Sequence, residues 1–67
     1  MKKIRLTAKE VKKIREAMEL SQEEFGDLID VHQTRISEWE NGKYRPSART
    51  TREILRVFEE FKSKKTA

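Results

Sequence analysis

The chain has 67 residues, no cysteine and one histidine; 42% of its residues are charged, and its formal net charge is +4 at pH 7. This length allows one small domain, while the composition excludes a disulfide scaffold and a structural zinc site. No apolar run approaches the roughly 18 residues that span a bilayer, and no signal peptide is visible, so we expect no membrane association and a cytoplasmic location.

The charges are segregated along the chain. Residues 1–15 hold seven Lys or Arg and one Glu, a local charge of +6, whereas residues 16–30 hold six acids and no base, a local charge of −6. Residues 41–52 hold four bases and no acid. This pattern predicts a basic side and an acidic side. The basic side is a candidate nucleic-acid surface, and the alternative is a solvated, charge-rich surface without a partner.

The N-terminal residues 1–6 are basic and are predicted to form an arm before the first helix. Two interpretations are open for this arm: it touches DNA, or Ile4 and Leu6 pack on the core, which we favour for Leu6. Residues 7–10, Thr-Ala-Lys-Glu, form a capping box in which side chains bond the free backbone N–H groups of a helix start. They predict a helix over residues 8–19.

A second capping box, Ser-Gln-Glu-Glu at residues 21–24, predicts a helix that begins at Gln22. Gly26 lies inside this helix, where glycine costs about 1 kcal/mol relative to alanine. We interpret it as a point where the next helix crosses too closely for a side chain; the alternative is a tolerated surface glycine. Asp30 follows the helix and tolerates the left-handed conformation, which allows a sharp turn.

Ile36 and Trp39, three residues apart, predict a helix over about residues 33–41 that buries both side chains, and Gly42 is expected to end it. The spacing of Trp39 favours core packing over base stacking. Because successive residues of an α-helix are separated by about 100°, the polar residues of this helix then point outward.

Pro46 and Ser47 predict the start of a last helix over about residues 48–62, followed by a frayed tail at residues 63–67. Phe61 either completes the core or is an exposed anchor for a second subunit. The predicted core consists of apolar residues from the helices and their connections: Leu6, Val11, Ile14, Met18, Leu20, Phe25, Leu28, Ile29, Val31, Ile36, Trp39, Ile54, Leu55 and Phe58.

The stretch over residues 22–42 resembles the phage-repressor-like, Cro/Xre-type helix-turn-helix family. The matching residues are, in order, Gln22, Phe25, Gly26, Ile29, Val31, Ile36, Trp39, Glu40, Asn41 and Gly42. Two positions depart from the family pattern: Asp30 stands where glycine is usual, and His32 stands where a serine or threonine cap is usual. The resemblance implies an all-α, lambda-repressor-like domain over residues 1–67, with four helices, or five.

The major groove of B-DNA is about 12 Å wide and admits one α-helix, and a helix-turn-helix presents the N-terminal residues of its second helix to the base edges. The candidate base-contacting residues are therefore His32, Gln33, Thr34, Arg35, Ser37 and Glu38. Gln33 has the chemistry to pair with adenine, and Arg35 to pair with guanine or hold a phosphate. Glu38 is repelled by phosphates unless it accepts from cytosine, and His32 caps the helix, contacts DNA or does neither.

Contacts to the phosphate backbone are predicted on both sides of the recognition helix. The candidates are Gln22, Asn41, Lys43, Tyr44 and Arg45. Gln22 lies beside the free N–H groups that open its helix, and the family resemblance implies the others. The resemblance also implies an ion pair between Arg15 and Glu40, for which an unpaired surface Arg15 is the alternative.

These features predict sequence-specific binding of double-stranded DNA, without catalytic chemistry or a cofactor, by a transcriptional repressor or an antitoxin-like regulator. Because one helix-turn-helix reads few base pairs, we expect a homodimer on a palindromic site with half-sites about 34 Å apart. The alternative is a protein–protein module without base readout, favoured by Glu38 and the acidic residues 16–30, and its partner could be a toxin. An enzyme is disfavoured because the chain has one histidine, no cysteine and no glycine-rich phosphate loop.

Overall fold

The computed structural model describes residues 5–66 and holds four α-helices in that range: α1 Ala8–Ala17, α2 Gln22–Ile29, α3 Gln33–Glu40 and α4 Ala48–Thr66. The described range contains no strand, which confirms the predicted all-α, four-helix fold. The arm residues 1–4, and with them the predicted placement of Ile4, lie outside the described residues. Between residues 5 and 66, no helix is long and apolar enough to cross a membrane.

Both predicted capping boxes are formed. At the start of α1, the Glu10 N–H donates to Thr7 Oγ1 at 3.2 Å, and the Thr7 N–H donates to Glu10 Oε1 at 2.9 Å. At the start of α2, the corresponding distances for Ser21 and Glu24 are 3.1 and 2.8 Å. Each box bonds two N–H groups that have no partner inside the helix, so both helices begin where the sequence predicts.

α1 ends earlier than predicted. It was expected to run to residue 19, but it ends at Ala17, with Met18 as its C-cap. Glu19 has a φ of 60°, in the left-handed region that no α-helix continues through. The early end lets the Leu20 N–H return to the Arg15 carbonyl at 3.2 Å and leads the chain directly into α2.

Gly26 lies inside α2, at the point where the chain passes back over the helix after the turn at Asp30. A Cβ atom added to Gly26 would overlap the Val31 carbonyl oxygen and would lie 3.5 Å from the backbone nitrogen of Gln33. The prediction that no side chain fits at Gly26 is confirmed, but the atom that excludes it belongs to the turn and not to the next helix. Asp30 adopts the predicted left-handed conformation, with φ 60° and ψ 46°, and it turns the chain so that α3 packs across α2.

The core differs from the predicted set at a few positions. Leu28 is 48% exposed, so its assignment to the core was wrong: the residues of α2 that face the other helices are Phe25, Gly26 and Ile29. Val57 is buried and was missed. Several predicted or uncertain apolar residues are partly buried against the core: Leu20, Val31, Leu55, Phe58 and Phe61.

α4 continues to Thr66, beyond the predicted end near Lys62, so residues 63–66 of the predicted tail are helical. Charged pairs lie along its exposed face before residue 63. Arg56 Nη1 lies 3.0 Å from a Glu60 carboxylate oxygen, and Lys62 Nζ lies 3.2 Å from Glu59 and 4.8 Å from the centre of the Phe58 ring. Exposed pairs at these spacings stabilise a helix only slightly.

Candidate nucleic-acid interface

α3 has one buried face and one open face. Ile36 is 0% exposed and Trp39 is 4% exposed, which confirms that both point into the core. Gln33, Thr34 and Arg35, which form the first turn of the helix, are exposed. α3 packs on α1 and α2, and the exposure of its first turn leaves the leading end of its polar face accessible to a ligand.

A groove of about 520 Å³ runs along this leading end. Its walls are the α2–α3 turn, the side chains of Thr34, Arg35 and Glu38, and Thr50 from the first turn of α4. The last helix therefore borders the polar face of α3 without covering the exposed residues of its first turn. This arrangement leaves the proposed recognition surface open. An α4 that covered this surface would have excluded the insertion of α3 into a DNA groove.

His32 is the N-cap of α3, in the place where the family usually has serine or threonine. Its Nδ1 accepts a hydrogen bond from the Thr34 N–H at 3.1 Å. Because Nδ1 is the acceptor, the neutral ring carries its hydrogen on Nε2. Of the interpretations that the sequence left open for His32, the structure supports capping. The Nε2–H of its ring is left as an exposed donor beside the first turn of α3.

Arg35 and Glu38 face each other one turn apart on α3. Arg35 Nε lies 3.7 Å from a Glu38 carboxylate oxygen, and the side chain of Arg35 is the more exposed of the two. The arginine partly neutralises the carboxylate, which reduces the repulsion that Glu38 would otherwise exert on a phosphate. Exposed pairs of this kind contribute little to stability, so Arg35 is free to exchange Glu38 for another partner.

The predicted ion pair between Arg15 and Glu40 is present and nearly buried. Arg15 Nε and Nη2 donate to the two carboxylate oxygens of Glu40 at 2.6 and 3.0 Å, with side-chain exposures of 14% and 6%. Arg15 also donates to the Leu20 carbonyl at 2.9 Å, and Gln22 Nε2 donates to Glu40 at 3.1 Å. One carboxylate thus joins the last turn of α3 to α1 and to the start of α2.

This network changes the acid–base properties of both partners. Burial raises the pKa of Glu40, but hydrogen bonds from Arg15 and Gln22 together with the charge of Arg15 outweigh burial and leave the pKa below its usual value. The hydrogen bond to Glu40 raises the pKa of Arg15 against the opposing effect of burial. Both groups are therefore charged at neutral pH, and the end of the recognition helix is held by a charged, bidentate contact.

A helix-turn-helix family profile matches residues 11–60 of the chain. The chain belongs to the Cro/C1-type helix-turn-helix family. The match runs from α1 into α4 and includes the whole α2–turn–α3 unit. Comparisons with curated proteins and with solved structures found no match. Family membership makes this protein a DNA-binding helix-turn-helix regulator.

The predicted phosphate contacts of this Cro/C1-type domain fall into two groups. Asn41, Lys43 and Tyr44 lie exposed at the end of α3, where Gly42, with φ 82°, ends the helix as predicted. There the Gly42 N–H bonds the Trp39 carbonyl at 3.1 Å, and the Lys43 N–H bonds the Glu38 carbonyl at 2.9 Å. These two bonds form a Schellman motif, which fixes the loop and directs its side chains to solvent.

The second group is already engaged within the domain. One amide hydrogen of Gln22 is donated to Glu40, so the other remains for a phosphate. The guanidinium of Arg45 donates to the carbonyls of Arg5 and Leu6 at 3.0 and 3.4 Å. In the first group, Asn41 Nδ2 also donates to Ser37 Oγ at 3.4 Å, so this bond partly occupies the hydroxyl of Ser37, a predicted base contact.

Sequence reasoning missed two residues near this interface. Arg5 donates to the Arg45 and Pro46 carbonyls, and Thr50 borders the groove beside α3. The basic composition of residues 1–6 drew attention to the segment that holds Arg5. Its partner Arg45 lies 40 residues away in the chain, so no sequence pattern indicated their contact. Among the described residues, no group of three His, Cys, Asp or Glu side chains could hold a metal ion.

Proposed function

We propose that this Cro/C1-type protein is a sequence-specific transcriptional repressor that inserts α3 into the major groove of DNA. The observation that carries the proposal is the division of α3 into two faces: Ile36 and Trp39 are buried, while Gln33, Thr34 and Arg35 are exposed at its leading turn. Helix-turn-helix proteins use that leading turn to contact base edges. A role as an antitoxin, with a toxin as a protein partner, stays a hypothesis.

In this docking, Gln33 reads adenine through its amide, Thr34 contacts a thymine methyl group, and Arg35 pairs with guanine or a phosphate. The exposed N–H of His32 supplies one more donor. Ser37 and Glu38 are half-buried and lie further along the helix, where they meet base edges only if the helix enters deeply. Phosphates are held by Gln22 at the start of α2 and by Asn41, Lys43, Tyr44 and Arg45 after α3.

Gln33→Ala and Lys43→Ala are expected to weaken DNA binding in different ways. The first removes a bidentate base contact, so preference at one base position falls by about 1–3 kcal/mol. The second removes one phosphate contact, so it weakens all sequences alike and reduces the slope of log K against log salt by about one. The measurement is selection of bound duplexes from a random pool, followed by titrations of the selected and an unrelated duplex at several salt concentrations.

Each variant is the control for the other, because Gln33→Ala is expected to change sequence specificity and Lys43→Ala is expected to change overall affinity. The docking is wrong if both variants bind every duplex as the unaltered protein does.

The second candidate function, a protein-contact module, is favoured by the half-exposed Leu28 and the acidic residues around it. Absence of duplex binding at low salt would support that module, whereas a steep loss of affinity with salt supports DNA binding.

We also propose that the protein acts as a homodimer through an apolar groove of about 240 Å³ between α1, α2 and α4. Leu28 is its most exposed apolar residue, and Met18, Leu20 and Phe61 line its floor. A two-fold interface places the same surface on both subunits, so any charge in it must meet an opposite charge of that same surface. Glu60 and Lys64, one turn apart on α4, line this groove and supply that complementarity.

Leu28→Ser is expected to weaken this dimer with little effect on folding. Burying a leucine side chain contributes about 1.5–3 kcal/mol, so the dimer dissociation constant should rise by roughly 10- to 100-fold. Sedimentation equilibrium over a range of protein concentrations measures the constant, and Tyr44→Ser, at an exposed aromatic outside the groove, is the control. An unchanged dissociation constant for the Leu28 variant would place the interface elsewhere.

A further inference from the structure

The N-cap of α3 differs in its chemistry from the caps of the other helices. Hydroxyl oxygens accept at the starts of α1, α2 and α4, from Thr7, Ser21 and Ser47. At the start of α3 the acceptor is Nδ1 of His32, 3.1 Å from the Thr34 backbone nitrogen. An imidazole accepts through Nδ1 only while that nitrogen carries no proton, and histidine is the side chain that ordinarily changes its charge between about pH 5 and 8. Of the four helices described, α3 therefore has the N-cap acceptor that protonation can remove near neutral pH.

The first turn of α3 has little support besides this cap. Thr34 is the second residue of the helix, so its N–H has no acceptor inside the helix. In α1 and α2 a glutamate completes the capping box, but the corresponding position of α3 is Arg35, and its first turn holds no acidic residue. A protonated His32 loses the acceptor and places a positive charge at the positive end of the helix dipole. Both effects loosen the turn that presents Gln33, Thr34 and Arg35.

The charged groups around this exposed ring leave its protonated state accessible. The carboxylates of Asp27 and Asp30 line a groove that the ring shares with the end of α2. On the other side, the groove along α3 adds Arg35 and Glu38, which lie 3.7 Å apart. The last helix contributes the uncharged Thr50 to that groove. Among the described residues that line these two grooves there is no lysine, so no unpaired cation there opposes the binding of a proton.

We infer that His32 makes the sequence specificity of this protein depend on pH. While the ring is neutral, the cap holds Gln33 and Thr34 in fixed positions for base readout, and this part of the inference rests on the function proposed above. When the ring is protonated, the first turn is uncapped and base readout weakens, while the added positive charge attracts the phosphates of any duplex. Acid therefore lowers the affinity for the selected duplex relative to an unrelated one.

The cap is tested first in the free protein by NMR. His32 is the only histidine of the chain, so every imidazole signal belongs to it. At about pH 8 the ¹⁵N shifts of the ring should show the tautomer with its hydrogen on Nε2. As the pH is lowered, the Thr34 amide should lose its hydrogen bond with the same midpoint as the ring titration. A hydrogen on Nδ1, or a Thr34 amide that does not follow the ring, would overturn the inference.

The consequence for DNA is measured as the ratio of the dissociation constants of an unrelated and the selected duplex, at about pH 8 and about pH 5.5 and at constant ionic strength. In the unaltered protein this ratio should fall by roughly 2- to 30-fold at the lower pH, the change that corresponds to the loss of one N-cap. His32→Asn keeps a cap acceptor that does not titrate, so its ratio should be the same at both pH values. His32→Lys has a positive charge and no acceptor, so its ratio should be low at both.

These variants separate the cap from every other group that titrates in the same range. A ratio that stays constant with pH in the unaltered protein would overturn the inference, and so would a ratio that changes equally in His32→Asn. If neither the unaltered protein nor His32→Asn binds any duplex at low salt, the proposed DNA function fails. The NMR titration then decides by itself whether His32 is a proton-dependent cap.

Discussion

Glu40→Ala is expected to lower the free energy of unfolding by about 3 kcal/mol, within the range observed when one partner of a buried ion pair is removed. The substitution leaves the Arg15 guanidinium 14% exposed and without its counter-charge, and it also removes the acceptor of Gln22 Nε2. A domain of this size has a net stability of only roughly 3–5 kcal/mol. Urea unfolding at 25 °C should therefore give a free energy of unfolding in water of only about 0–2 kcal/mol.

Two further variants identify the cause of this loss. Glu53→Ala removes a carboxylate from an exposed pair with Arg56 and should destabilise the protein far less, because solvent screens exposed pairs. The double variant Arg15→Met/Glu40→Met removes both charges and keeps similar volumes, so it should recover most of the stability lost by Glu40→Ala. If Glu40→Ala and Glu53→Ala cost the same, the ion pair has no special role in holding α3.

The same pair makes stability depend on pH in the acid range. Because the pKa of Glu40 is lower in the folded protein than in the unfolded chain, its contribution is complete above the unfolded value of about 4.3. The contribution is lost as the pH falls from there through the lower folded pKa, since the unfolded state then binds the proton more readily. In Glu40→Gln this part of the pH dependence should disappear, and the curve of unfolding free energy against pH should be flatter below about pH 5.

Gly26→Ala is expected to destabilise the protein by about 2 kcal/mol or more, even though alanine is the better helix former. The new Cβ would overlap the Val31 carbonyl oxygen, a backbone atom that cannot rotate away. The turn would have to open, and α3 would shift relative to α2. For a domain of this size, a loss of about 2 kcal/mol corresponds to a fall in Tm of roughly 8–16 °C, which calorimetry or circular dichroism can measure.

Gly42→Ala distinguishes steric overlap from backbone strain. A Cβ at Gly42 meets no atom within 4 Å, but the residue has a φ of 82°, which costs a non-glycine residue about 1–2 kcal/mol. The Gly42 variant should therefore be less damaged than the Gly26 variant, and it should retain the position of α3. A Gly26→Ala protein as stable as the parent would contradict the close approach at the turn.

Local rules predicted much of this fold. Capping boxes mark the starts of α1 and α2, Asp30 takes the left-handed turn, and Ile36 and Trp39 point inward. Each of these features depends on residues within a few positions of each other, so spacing and side-chain chemistry are sufficient to predict them. The candidate site on α3 follows from the same spacing, and its contacts with DNA stay a prediction.

Other features depend on contacts between distant parts of the chain. Leu28 fits the apolar spacing of α2 but is exposed, because the neighbouring helices pack on the side of Phe25 and Ile29. The pairing of Arg5 with Arg45 spans 40 residues, and no local pattern indicates it. Family resemblance, and not spacing, suggested the Arg15–Glu40 pair.

By itself, then, the sequence determined the helix starts, the turn between α2 and α3 and the buried face of α3, because these follow from backbone preferences and helical period. Only the tertiary structure decided which apolar residues reach the core and which arginines are neutralised by glutamate. It also decided that Arg5 and Arg45 each donate to the other's backbone carbonyl. Burial and charge pairing depend on which helices meet, and that is a property of the packed chain.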